Sequence, residues 1–245
     1  MKRRVDVLLV ERGLAPSREK AQAYLMAGSV TVNGRRDLKA GTKVESDAEI
    51  MIENDPIPYV SRGGLKLEAA LDKWEIGVGD AVCVDIGAST GGFTDLLLQR
   101  GASKVYAIDV GYGQLEYKLR TDPRVVIMER TNIRLLDPAG FPEKADLICI
   151  DVSFISLKLV LPVAAELLKK DDSSRMICLI KPQFEAERAQ VGKGGIIRDP
   201  GIHAEVLAKV RGYVNGNGLK TEGEMESPIR GTKGNLEYLM LVKQI

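Results

Sequence analysis

The sequence predicts an α/β protein: a mostly parallel sheet with helices on both faces, preceded by a small α+β unit rich in basic side chains. Three observations carry that expectation. Five short runs, AVCVDIG, KVYAIDV, RVVIMER, ADLICIDV and RMICLIK, are apolar on both faces of a strand and are separated by helical or turn segments, as in a parallel sheet covered on each side. Residues 53–64, ENDPIPYVSRGG, hold two prolines and then two glycines, the composition of a linker, and place a boundary near Ile57. The first 43 residues carry ten Lys or Arg against four Asp or Glu, a surplus of six, although the whole 245-residue chain has a net charge of only +1. The remainder is therefore acidic overall, and any attraction to nucleic acid must come from the local basic patch.

Composition narrows the class. With 44% hydrophobic and 28% charged residues, the chain has material for one sizeable core plus a small module. Cys83, Cys149 and Cys178 each sit inside an apolar run without the paired spacing of a zinc site, and an odd number argues against a disulfide framework. Reduced core cysteines are expected, and no metal. MKRRVDVLLVERG opens like a secretion signal, but Asp6 and Glu11 confine its apolar run to four residues. Nothing later approaches the length of a membrane span, so the expectation is a cytoplasmic protein without a membrane partner.

The elements follow in order. Val5, Leu8 and Leu9 have helical spacing, with Gly13 as a stop; Ser17 then caps a second helix that turns Ala21, Tyr24 and Leu25 inward and ends at Gly28. SVTVNGRR is a short strand running into an Asn-Gly turn, and KVESDAEIMIE supplies more alternating strand residues. With its GLAPSR turn and closing GSVTVNG, this stretch resembles the RNA-binding module named after ribosomal protein S-four. The resemblance implies an RNA-binding domain over residues 1–57, in which Arg4, Arg18, Arg35 and Lys39 line one face and engage phosphates. From Gly63, GGLKLEAALDKWE is an amphipathic helix with Leu67, Leu71 and Trp74 on one face, opening a second domain over residues 58–245. KTEGEMES and LEYLMLVK read as the strands that finish the sheet. His203, alone in a helix, reads as a surface or capping residue.

The loop after the first apolar run, DIGASTGGFTD, decides what the sheet holds. A P-loop needs Lys after its last glycine, and none follows Gly92; a dinucleotide fingerprint needs G-x-G-x-x-G, whereas Gly87 is followed by three other residues before Gly91 and Gly92. S-adenosylmethionine has no phosphate. Its positively charged methionine end suits Asp85 at the end of the first strand, and its ribose hydroxyls suit Asp109 at the tip of the second. An aspartate at a strand end is commonly just a turn or helix cap, so it is the joint placement, 24 residues apart across one strand-helix-strand unit, that points to this cofactor. The expected cofactor set is Asp85, Gly87, Ala88, Ser89, Gly91, Gly92, Phe93, Asp109, Val110 and Asn132, with S-adenosylhomocysteine as product.

Residues at the carboxyl ends of parallel strands line the site, which brings in Asp151 and Lys181. A Lys ending an apolar run is poor core material, and beside an Asp it can accept a proton or orient a hydroxyl. The Asn/Asp-Pro-Pro-aromatic loop common in base N-methylating enzymes is replaced by DVSF, and no cysteine lies in a loop where it could attack a base. Lys66, Asp151, Lys181 and Glu237 match in type and order the K-D-K-E set of FtsJ-like methyltransferases, which modify ribose 2′-hydroxyls of RNA. SRGGLKL, DVGYGQL, ERTNIR, DVSFISL, LIKPQFE and KGNLEY resemble more closely still the TlyA family, which joins an S-four-like module to an FtsJ-like domain. That resemblance implies a Rossmann-like methyltransferase sheet, the four residues as catalytic groups, and 2′-O-methylation of cytidine in ribosomal RNA or ribosomal subunits. It also implies an old association with haemolysis; phosphate contacts are expected in addition from Arg62, Arg130 and Arg134.

Overall fold

The computed structural model describes residues 2–26, 28–35, 38–52, 57–192, 194–231 and 234–245; Arg36 of the basic patch, linker residues 53–56 and Lys233 of the KGNLEY run lie outside them. The chain divides into two compact units, Met1–Pro58 and Tyr59–Ile245.

In the first unit β1 (Lys2–Arg4) leads into α1 (Val5–Glu11) and α2 (Arg18–Met26), followed by β2 (Val30–Val32), β3 (Lys43–Glu45) and β4 (Ile50–Ile52). Val5, Leu9, Ala21, Leu25, Val30 and Val32 close a small core between helices and strands. Ser17 Oγ accepts from Lys20 N at 3.3 Å, the cap expected for α2. Asn33 and Gly34 adopt φ of 48° and 76°, turning Val32 back to bridge with Arg35. KVESDAEIMIE is not one strand. It divides into β3, antiparallel to β1, and β4, antiparallel to β2. No sequence signal marks β1, because its residues are all charged and exposed; main-chain pairing, Lys2 with Glu45 through Arg4 with Lys43, holds it.

The second unit runs α3 (Gly63–Lys73), β5 (Val82–Ile86), α4 (Gly92–Gln99), β6 (Lys104–Ile108), α5 (Tyr117–Arg120), β7 (Val125–Met128), β8 (Leu147–Ile150), α6 (Leu161–Leu167), β9 (Arg175–Ile180), α7 (Pro182–Glu185), α8 (Pro200–Gly216), β10 (Leu219–Glu226) and β11 (Tyr238–Gln244). The strands form one sheet of order β10-β11-β9-β8-β5-β6-β7. β5 to β9 pair in parallel, while β11 lies antiparallel to both β9 and β10. The first apolar run is thus central, with β6 on one side and β8 on the other. A crevice opens beyond the carboxyl end of β5, where the winding reverses. Val84, Ile86, Ile148, Ile150, Cys178 and Ile180 are all at most 1% exposed, which is why these strands show no polar face.

The cysteines lie in this core as their apolar context implies. Burial pushes the Cys83 and Cys178 thiols up to about 12 and Cys149 well above the usual thiol value, so all three stay protonated and unreactive. His203 departs from expectation. It is 6% exposed, with Nε2 3.2 Å from Ile197 O and its ring edge-on to Tyr238. Its spacing from Val206, Val210 and Val214 places it on the buried stripe of α8, and Asp199, whose Oδ1 accepts from Gly201 N, caps that helix instead.

Candidate active site

The glycine-rich loop leaves β5 through Gly87, whose φ is +89°; a Cβ there would lie 2.4 Å from the Asp151 carbonyl oxygen, so only glycine lets the loop pass the end of β8. Ala88 N donates to Ile108 O, and Gly91 forms the left-handed cap of α4. A Cβ on Gly92 would lie 2.2 Å from Ser61 Oγ, so the segment before α3 rests directly on the loop. Asp95, 3% exposed, fixes that segment by accepting from Val60 N at 2.8 Å. Phe93 is buried beneath.

Asp85 is fully buried. Its Oδ2 accepts from Thr94 N (3.0 Å) and Thr94 Oγ1 (2.6 Å), fastening the first turn of α4, while Oδ1 is buried with no hydrogen-bond partner among the described residues. Burial, with smaller contributions from the charges of Asp151 and Asp109, raises its carboxyl to about 7 against the opposing Thr94 hydrogen bond. Asp109 follows β6 and is held by two backbone donors, Ser89 N at 2.8 Å and Gly111 N at 2.6 Å. It lines a cavity of about 420 Å³ together with Gly87, Ser89, Val110 and Asn132. Val110 is 69% exposed, and Asn132 Oδ1 accepts from Arg134 N at 3.2 Å.

A second cavity, about 390 Å³, contains all four members of the expected tetrad together with Asp85 and shares Gly87, Ser89 and Asp151 with the first. Lys66 comes from the first turn of α3, Asp151 follows β8, Lys181 follows β9 and Glu237 precedes β11. The tetrad forms two ion pairs. Lys66 Nζ donates to Glu237 Oε2 at 2.6 Å, with side-chain exposures of 11% and 2%. Lys181 Nζ lies 2.6 Å from Asp151 Oδ1, off the angle of a hydrogen bond, and directs its hydrogen bond to Ser153 Oγ at 2.8 Å. The antiparallel pairing of Tyr238 with Ile180 sets Glu237 and Lys181 at neighbouring strand ends. Sequence reasoning passed over Ser153 and, in the Asp109 cavity, Gln114, Thr131 and Val152. DVSF served only as the lack of another motif, although a hydroxyl two residues beyond Asp151 was the available signal.

The basic residues fall into two groups. In the first unit Arg4 and Arg18 converge on fully buried Asp6, with Arg4 Nε at 2.9 Å and NH2 at 2.8 Å and Arg18 NH2 at 3.2 Å, while Gln22 adds a fourth donor. The Arg4 guanidinium holds the Asp6 carboxyl well below the usual carboxylate range. Arg35 and Lys39 are exposed. In the second unit Arg62 is exposed at the rim of the tetrad cavity, Arg134 is exposed beyond Asn132, and Arg130 places its guanidinium 4.1 Å from the centre of the Tyr112 ring.

Comparison with known proteins agrees with this geometry. Residues 59–244 match the FtsJ-like methyltransferase family and residues 3–50 match the S4 domain. The chain is 43% identical over 241 residues to the 16S/23S rRNA (cytidine-2′-O)-methyltransferase TlyA of Mycobacterium tuberculosis, covering 98% of this chain and 89% of that protein. It is 44% identical over 237 residues to Hemolysin A of Brachyspira hyodysenteriae, covering 96% and 98%. A solved structure from Streptococcus thermophilus, whose name also ties it to haemolysis, superposes with a TM-score of 0.78 at 46% identity over 99% of this chain and 88% of the other. Among the described residues no helix is long and apolar enough to cross a membrane. The chain belongs to the TlyA family of FtsJ-like methyltransferases, with an S4 domain at its N-terminal end.

Proposed function

We propose that this protein transfers a methyl group from S-adenosylmethionine to a ribose 2′-hydroxyl of ribosomal RNA, with cytidine as the modified nucleotide and ribosomal RNA or an assembled subunit as the partner. The observation that carries the proposal is the convergence of two ion pairs, the buried Lys66–Glu237 and the partly buried Lys181–Asp151, in a cavity that adjoins the one lined by Asp109. The residues of the loop fit the cofactor. Asp85 Oδ1 is a buried acceptor without a donor among the described residues, suited to an ammonium group; Gly87 lets the loop run close against the end of β8 at the wall of both cavities; Asp109, held by two amides, is an acceptor for a pair of ribose hydroxyls. The name of the M. tuberculosis relative supports cytidine and the 2′-oxygen as the target.

When bound, the cofactor supplies a methyl group already activated by positive sulfur. The protein must then align a weak nucleophile and remove its proton. Lys181, fixed by Asp151 and Ser153, would hold the hydroxyl oxygen through an ammonium N–H, and the Asp151 carboxylate would take the proton that the hydroxyl loses as it accepts the methyl group. Lys66, neutralised by Glu237, keeps its remaining N–H groups for ribose oxygens. Arg62, Arg130 and Arg134, with Arg4, Arg18, Arg35 and Lys39 of the S4 domain, engage phosphates. Nucleoside mass spectrometry of ribosomal RNA from cells with and without the gene tests the proposal: 2′-O-methylcytidine should disappear from a defined position. Methyl transfer at full rate to RNA with a single 2′-deoxycytidine at that position would refute it.

A further inference from the structure

We propose that Gln183 holds the base of the nucleotide being methylated, pairing its carboxamide with the adjacent donor and acceptor on the base edge. The inference rests on the function proposed above. A third cavity, about 290 Å³, is lined by Lys181 and Glu237 of the tetrad together with Phe154, Phe184 and Gln183. In a nucleotide the base is carried on C1′ and the reacting hydroxyl on C2′, neighbouring atoms of one ring. A ribose whose 2′-oxygen reaches Lys181 must therefore send its base into space that shares a wall with Lys181. The Asp109 cavity lacks that wall; the tetrad cavity shares it but is lined largely by charged and polar side chains, whereas this one adds two aromatic rings suited to a flat base. Its size sits at the lower end of the range for small-ligand pockets, and the Phe154 and Phe184 rings, 5.0 Å apart and tilted, give it apolar sides for a flat ring.

Among the side chains lining this cavity, Gln183 carries a buried oxygen that nothing else explains. Gln183 Oε1 is buried with no hydrogen-bond partner among the described residues. Burying an amide oxygen unpaired destabilises the fold, so packing alone would favour an apolar side chain here. With its oxygen unpaired, the amide is free to turn about its broad terminal torsion and present oxygen and nitrogen side by side. Cytosine offers the complement: its N4 amino group donates to Oε1, and its N3 accepts from Nε2.

The test pairs Gln183→Leu, which removes both polar atoms at similar volume, with two ribosomal RNAs assembled by splinted ligation. One carries cytidine at the target position and the other an abasic ribose. On the cytidine RNA the variant should lose about 10- to 100-fold in kcat/KM, the scale of a two-point contact to a base. On the abasic RNA the two enzymes should agree within about twofold, because the group that Gln183 serves is gone. The melting temperature of the variant should equal or exceed that of the unaltered protein. Equal kcat/KM on the cytidine RNA would overturn the assignment. So would an equal loss on both RNAs with a lowered melting temperature, which marks a structural role. If the unaltered enzyme methylates no ribose in ribosomal RNA, the proposed function fails and this inference falls with it; a defect confined to the variant leaves that function standing.

Discussion

One oxygen of Asp85 fastens the first turn of α4, and the other meets no donor among the described residues. Its carboxyl, raised to about 7 mainly by burial, keeps its proton in the folded chain between the ordinary carboxylate value and about 7, where the unfolded chain has released it. Stability contributed by this group therefore falls as pH rises through that window and levels off above it. Asp85→Asn should flatten the dependence of melting temperature between about pH 4 and pH 7; an unchanged slope would assign it to another group. Asp109→Ala should weaken S-adenosylmethionine binding by roughly 1.5–3 kcal/mol, read by calorimetric titration, with RNA affinity unchanged. Lys181→Ala should slow single-turnover methyl transfer by roughly 100-fold or more while both substrates still bind, since the side chain acts on a hydroxyl that is losing its proton. Asp151 and Lys181 stood out in the sequence because charged groups at the ends of apolar runs are conspicuous, whereas Lys66 and Glu237 were reached through the family resemblance. Ser153 and Gln183 did not, since a neutral hydroxyl or amide breaks no pattern. His203 was misread because a lone polar residue hides the period of the stripe it belongs to.

Among the elements, the parallel strands were legible in their apolar runs, because burial on both faces leaves no polar positions to confuse them. The short strands of the first unit were legible only as a group. KVESDAEIMIE alternates along its length, and alternation cannot say which residues pair with which partner, so β3 and β4 had to be separated by their different ladders. The turn from β5 to α4 makes a sharper demand. Gly87→Ala would place a methyl group 2.4 Å from a backbone oxygen at a φ of +89°. The expected loss is about 1–3 kcal/mol of stability by thermal denaturation, together with a larger loss of cofactor affinity, because the strain is relieved only by moving the loop. A Gly87→Ala protein with ordinary affinity would show that the loop does not need this path.

Across the whole molecule charge is segregated, with the surplus of cations in the first 43 residues and a net acidic remainder. Removing residues 1–57 should therefore abolish RNA methylation while leaving S-adenosylmethionine affinity within tenfold, about 1.4 kcal/mol, since every expected cofactor residue lies at Asp85 or later in the chain. Titration of the truncated protein checks this, with circular dichroism to confirm that it is folded. The antiparallel entry of β11 carries another lesson. Lys181 and Glu237 are far apart in the chain, yet the pairing of Tyr238 with Ile180 makes them neighbours whatever lies between. Within that span the connection between α8 and β10, which lines none of the three cavities, can therefore lengthen, shorten or be exchanged during evolution or engineering without resetting the chemistry. One residue inserted within β9 or β11 would instead turn alternate side chains to the opposite face. Tolerance to length change in this enzyme is thus set by where a strand begins, and insertions that look drastic in an alignment can be silent while a single added residue is not.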